Sequence, residues 1–163
     1  KPAPGFVKVN TDGAFDPVLR GAAAGVIARD SSGSVLGGCF MPLLCPDPAS
    51  AEALALLEGL RLAAANGWSN VIFETDSASI ANKVNNAPTR DLSTVQHLVT
   101  RIRATLGTMP NCKICYVPRD ANVVAHTLAN RALRSFTSCS FDCFFPDFIR
   151  VSVNSERFSS SSQ

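Results

Sequence analysis

An α/β domain is expected from three features of this 163-residue chain. Three short apolar runs with tight connections open it, which predicts an antiparallel meander. Apolar runs and amphipathic stretches then alternate, which predicts parallel strands joined by helical crossovers. A content of 46% hydrophobic and 17% charged residues supplies the core such a sheet needs. Together they predict a mixed five-stranded sheet, three antiparallel strands followed by parallel ones, flanked by helices.

The elements follow in order. In "VKVNTDG", Val7, Val9 and Thr11 alternate with Lys8, Asn10 and Asp12, the period of a half-buried strand over residues 6–12. "GAAAGVIARD" and "SVLGGCFMPLL" are the next two strands, joined through the turn "DSSG", and "CPDPAS" breaks the pattern. "AEALALLEGLRLAAANG" is helical, with Ala53, Leu57, Leu60 and Ala64 on one face and a stop at Asn66-Gly67. "NVIFETDS" is a strand, "SASIANKVNN" a short helix, and "NNAPTRD" a loop over residues 85–91. "LSTVQHLVTRIRATLG" forms an amphipathic helix with Val95, Leu98, Val99 and Ile102 inward. "CKICYVPRD" is the last core strand, and "ANVVAHTLANRALRS" the last core helix, with Asp120 as its expected N-cap. The aromatic segment 137–157 is an extension expected to pack on the domain, and residues 158–163 a disordered tail.

Composition limits the function classes. No apolar run reaches the roughly 20 residues of a membrane helix, and nothing at the N-terminus reads as a signal peptide. The chain opens on Lys1, and "KPAPG" reads as a linker remnant over residues 1–5, so a domain of a longer polypeptide is expected. A formal charge of +2 neither announces nor excludes nucleic-acid binding, because clustered acids can mask a basic face. "CKIC" and "CSFDC" invite a four-thiolate zinc site, yet residues three apart on a strand point to opposite faces. Cys112 and Cys115 are therefore expected to diverge, and the six cysteines to be reduced thiols of an intracellular monomer, nuclear or cytoplasmic.

The chemistry lies in three acids. "VKVNTDG" and "VIFETDS" share the frame Val-x-apolar-x-Thr-Asp, so Asp12 and Asp76 stand at one phase of their strands. If those strands are adjacent and parallel, both carboxylates leave the same edge of the sheet, where open α/β sheets gather their sites. Glu52, read as lying in the first turn of the Ala/Leu-rich helix, borders its apolar stripe, with Glu58 on the outer face as the control. Taken singly, Glu52 would complement the helix dipole and Asp76 would cap a helix. Three inward acids with no Lys or Arg beside them in sequence instead require a cation, and all-oxygen ligands suit Mg²⁺ or Mn²⁺. Two such ions about 4 Å apart clamp the attacking and leaving oxygens of a phosphodiester.

"NTDGA", the helix start "AEALAL", "ETDS" and "VPRDANVVAHTLAN" resemble, in order, the motifs of the ribonuclease H type 1 family. The likeness covers about residues 6–135 and is nearest to the reverse-transcriptase-like domains of plants, found alone or at the end of non-LTR retroelement polyproteins. It implies a ribonuclease H-like domain over residues 6–136 and hydrolysis of the RNA strand of RNA–DNA hybrids with two Mg²⁺ or Mn²⁺ ions. Asp12, Glu52 and Asp76 then correspond to the first three acidic ligands. The family's fourth acid falls where this chain has His126, which implies one weakened ion site or a proton-handling role for the imidazole. "YVPRDAN" is too short for the family's His loop, leaving Arg119 there to touch phosphate, and no long basic, Trp-rich handle is present, for which Arg101 and Arg103 are possible partial substitutes. Backbone N–H groups near Gly13 and Ser77, together with Asn122, are expected to hold the substrate. Two further readings stay open: a nucleic-acid-binding module that no longer cuts, and a domain that positions a neighbouring polymerase.

Overall fold

The computed structural model describes residues 1–87 and 93–159, with side chains up to residue 155. Strands β1 (Val7–Asp16), β2 (Gly21–Arg29) and β3 (Val35–Leu43) form the expected meander. Helix α1 (Pro48–Ala65) leads to β4 (Asn70–Thr75), α2 (Ala78–Asn85), α3 (Thr94–Gly107) and β5 (Asn111–Tyr116). A 3₁₀ turn at Arg119–Ala121 precedes α4 (Val123–Ser135), which is followed by β6 (Cys139–Phe141) and α5 (Arg150–Ser159). The sheet order is β5-β4-β1-β2-β3-β6, with β1, β4 and β5 mutually parallel and the other pairings antiparallel. It is the expected mixed sheet with one added strand: β6 is too short for its period to show in sequence, and it covers the free edge of β3.

Two apolar layers clamp the sheet. On one face Val9, Val71, Phe73 and Ile114 meet Leu56, Leu57, Leu60, Val99 and Ile102 from α1 and α3. On the other, Ala23, Ile27 and Phe40 meet Val124, Leu128, Ala129 and Ala132 of α4. The inward residues read for α3 are all buried, but the stripe on α1 ends at Ala63, while Ala64 is exposed. Ala64 keeps the phase of buried Leu57, seven residues earlier, and is exposed because it stands in the last turn beside the exposed Ala65 and Asn66.

Several boundaries shift for identifiable reasons. Helix α1 starts at Pro48 because the Asp47 carboxylate accepts from the Ser50 N–H and because proline suits the first helical position. Glu52 is thereby the fifth helical residue, beyond the first turn. Strand β1 does not stop at Gly13; it pairs with β2 out to Asp16. It is also covered on both faces, so Asn10 and Asp12 are buried along with Val9 and Thr11. The loop over 85–91 lies partly outside the described residues. Residues 158 and 159 belong to α5, and residues 160–163 lie outside the description.

The C-terminal extension is built onto α4 and β3. Phe136 ends α4 in the left-handed conformation, turning the chain back toward β3. Ile149 and Val153 are buried in the α4 layer, and the Phe148 ring meets Phe40 edge-on at 5.8 Å beneath the guanidinium of Arg131.

Candidate metal centre

Parallel pairing of β1 with β4 sets Val7 opposite Val71 and Thr11 opposite Thr75, so the shared frame becomes a shared register. Asp12 follows Thr11 within β1 and Asp76 follows Thr75 just past the end of β4, so the two emerge together where β4 leaves the sheet. Glu52 comes from α1, which lies directly on β1 because Gly13 has no side chain. A Cβ at Gly13 would stand 2.4 Å from the carbonyl carbon of Ala51 and from the backbone nitrogen of Glu52. The same glycine donates its N–H to Glu52 Oε2 at 3.2 Å. Each of Asp12, Glu52 and Asp76 offers a carboxylate oxygen within 4.8 Å of the others.

Electrostatics show what such crowding costs without a cation. Burial, and then the charges of Asp12 and Asp76, push the Glu52 carboxyl up to about 8. Burial and the Asp76 charge raise Asp12 to about 6, against the opposing pull of His126. Three crowded hard oxygen donors, of which Asp12 and Glu52 resist ionisation, form a set that fits a divalent metal ion. Two other acids are excluded by their own partners. Glu74, one pleat before Asp76, pairs with Lys8 at 3.3 Å and accepts from Asn10 at 2.8 Å. Glu58 is held by Arg61 at 2.6 Å, although its side chain is only 14% exposed and so is more covered than an outer-face position implies.

The N-terminal end of α4 closes the site. His126 Nδ1 lies 3.1 Å from Asp12 Oδ2. Asn130 Nδ2 lies 2.9 Å from His126 Nε2 and 3.3 Å from Nδ1; in the tautomer with its proton on Nδ1, the imidazole donates to the Asp12 carboxylate. The sequence reading missed Asn130, although its place four residues after His126 puts it on the same helical face. Arg119 Nη2 contacts both imidazole nitrogens at 3.0 and 3.1 Å, and its charge acts on Glu52 in the stabilising sense.

Asn122 is 1% exposed; its amide nitrogen donates to the Thr11 carbonyl at 3.0 Å and to Asp76 Oδ1 at 3.1 Å. It ties the two acid-bearing strands together, and its Oδ1 is buried without a hydrogen-bond partner. This use of the amide corrects the capping expectation: Asn122, not Asp120, is the N-cap residue of α4, with no side-chain cap bond, and Asp120 sits in the preceding 3₁₀ turn. The expected donors at Gly13 and Ser77 are engaged inside the protein. The Ser77 N–H bonds Thr75 Oγ1, and its hydroxyl accepts from Ile80 at the start of α2. The Arg103 guanidinium is engaged inside the protein, where it holds the carbonyls of Lys83, Val84 and Asn86 at the end of α2. Cys112 packs in the α1–α3 layer, and Cys115, three residues along β5, falls on the other face, as the strand period requires.

Comparison with known proteins places this geometry. A family model described as reverse transcriptase-like matches residues 10–132. No curated protein matches the chain significantly. Among solved structures, RNase H1 from the halophilic archaeon Halobacterium salinarum is similar, with a TM-score of 0.73 at 25% identity over 79% of this chain and 98% of that one. LC11-RNase H1 in complex with an RNA/DNA hybrid aligns with a TM-score of 0.72 at 22% identity, over 78% and 96% of the two chains. The foamy viral protease-reverse transcriptase in complex with an RNA/DNA hybrid aligns with a TM-score of 0.62 at 19% identity, over 80% of this chain but 21% of that one.

Proposed function

The chain belongs to the reverse transcriptase-like family, and on that basis we propose that it is a metal-dependent ribonuclease H that cuts the RNA strand of RNA–DNA hybrids. The observation that carries this reading is the meeting of Asp12, Glu52 and Asp76 within 4.8 Å where β4 leaves the sheet. Asp12, Glu52 and Asp76 are the metal ligands, and Mg²⁺ or Mn²⁺ is the ion. Held by these three carboxylates, a divalent ion would supply Lewis-acid polarisation of the phosphodiester and activation of the attacking water. The chain's own groups orient the parts. Gly13 N–H steers Glu52, Asn122 holds Asp76 against β1, and His126 Nδ1 holds one oxygen of Asp12. Arg119, exposed beside His126, is the group that contacts a substrate phosphate. Selection of RNA over DNA comes from 2′-hydroxyl contacts in the minor groove.

His126 favours a second reading, a binding module that grips hybrid without cutting it, because a neutral imidazole brings no charge to the fourth ligand position. A similar domain forms about a fifth of the foamy viral chain, which supports a place for this one beside other domains of a longer polypeptide. Labelled hybrid incubated with Mg²⁺ and then Mn²⁺ separates the readings. Cleavage that disappears in Asp12→Asn supports the nuclease; tight binding with no cleavage in either ion supports the module.

A further inference from the structure

We propose that the groove between the C-terminal end of α1 and the loop after β6 is a docking site for a partner protein, which lays an extended segment along β6 and inserts an Arg or Lys side chain. This goes beyond the nuclease reading and does not depend on it. β6 stands three places from β1 in the sheet, about 14 Å away.

The groove holds about 630 Å³ and is walled mostly by residues 139–147, beyond the 10–132 span of the family match. Its floor is aromatic. The Phe141 ring lies on bare backbone at Gly38, where a Cβ would stand 2.5 Å from a ring carbon. Phe144, at the rim, is 87% exposed, a large apolar side chain the fold itself leaves uncovered. The surrounding charge is negative. Asp142 accepts from the Phe144 N–H and has no cationic partner among the described residues, whereas Asp147 is paired with Arg150. Helix α1 reaches the groove through Leu62 and Asn66, and the carbonyl end of this 18-residue helix has no basic residue in its last turn; such an end favours a cation. The extension already holds guanidinium groups in this manner: Arg150 lies over the Phe145 ring at 5.8 Å, and Arg131 over Phe148 at 5.4 Å. Asp142, Phe144 and the α1 end are left for an incoming cation. Carboxylates repel a phosphate backbone, so the occupant is protein rather than nucleic acid. β6 ends the sheet and pairs on one side with β3, so its outer edge offers backbone N–H and C=O groups to an added strand.

Fluorescence anisotropy of a short labelled peptide alternating Arg and Val, titrated with the full chain, tests this. Saturating Mg²⁺ in the buffer keeps the peptide off Asp12, Glu52 and Asp76. Saturable binding is expected, about tenfold tighter than that of the matching peptide of Gln and Val. The double variant Phe144→Ala, Asp142→Asn is expected to lose about tenfold in affinity. Its melting temperature should not change, because both side chains are exposed. Full binding by that variant, equal binding of the Gln peptide, or no binding at all would each overturn the proposal. Displacement of the peptide by an RNA–DNA hybrid would assign the groove to nucleic acid. A dimer in sedimentation that the double variant breaks would assign it to a second copy of the chain. Either result also overturns the proposal, and neither bears on hybrid cleavage at the metal centre.

Discussion

Gly13 shows how one missing atom places a charge. With the space for a Cβ filled by the backbone of Ala51 and Glu52, Gly13→Ala forces the N-terminal half of α1 off the strand. We expect a loss of about 1–3 kcal/mol of stability, read as a lower urea midpoint, together with weaker Mn²⁺ binding in a titration. Normal Mn²⁺ affinity in the variant would show that Glu52 is not held by this contact. His126→Asp tests the neighbouring position: hybrid cleavage in Mg²⁺ is expected to rise if the imidazole impairs metal binding, and unchanged or lower cleavage would show that His126 has a role of its own. Asp12 and Asp76 were legible in the sequence because a shared strand frame turned directly into register. Glu52 was legible as a phase on a helix, although not the turn it occupies, since Asp47 and Pro48 start α1 earlier. The work of Asn122 was not legible. Its partners lie 111 and 46 residues away, and locally it resembles any helix-capping asparagine.

At the scale of elements, α4 depends on what lies on either side of it. Beneath it Gly25 lets the helix backbone touch the sheet; a Cβ there would stand 2.2 Å from the Ala125 carbonyl oxygen and 2.5 Å from the Ala129 nitrogen. Above it the extension places Ile149 in the same layer, fully buried. Ile149→Ala is expected to cost about 2–5 kcal/mol, measured by chemical denaturation. A cost below 1 kcal/mol would mean that the extension is not a brace for α4. Residues 137–149 could not be resolved into elements from sequence because a three-residue strand and a 3₁₀ turn are shorter than any hydrophobic period, and the ten-residue α5 that follows was missed. The long helices and the five longer strands repeat their pattern several times, and their existence was readable to within a few residues.

For the molecule as a whole, a formal charge of +2 conceals a pocket that resists its own ionisation. Asp12 and Glu52 titrate at about 6 and about 8 when folded, against ordinary values of 3.8 and 4.5. Between those limits the metal-free folded state binds more protons than the unfolded chain, so its stability falls as pH rises from about 4 to about 8. Melting temperatures in excess chelator are expected to decline across that window. Saturating Mn²⁺ is expected to flatten the decline and to add roughly 3 kcal/mol at a hundredfold excess over Kd. A chelated protein whose Tm ignores pH would show that the three acids do not strain the fold.

The parallel seam between β1 and β4 also sets a timetable. The meander of β1, β2 and β3 joins neighbours in the chain, whereas Asn10 meets Glu74 across 64 residues of sequence. Loop-closure entropy makes such a distant junction form late. The mutually repelling acids are therefore kept apart while the hairpins nucleate, and are forced together only when the crossover through α1 locks β4 into place. Pulsed hydrogen exchange during refolding is expected to protect the hairpin amides before those of β4; the reverse order would mean that the acids meet at the outset.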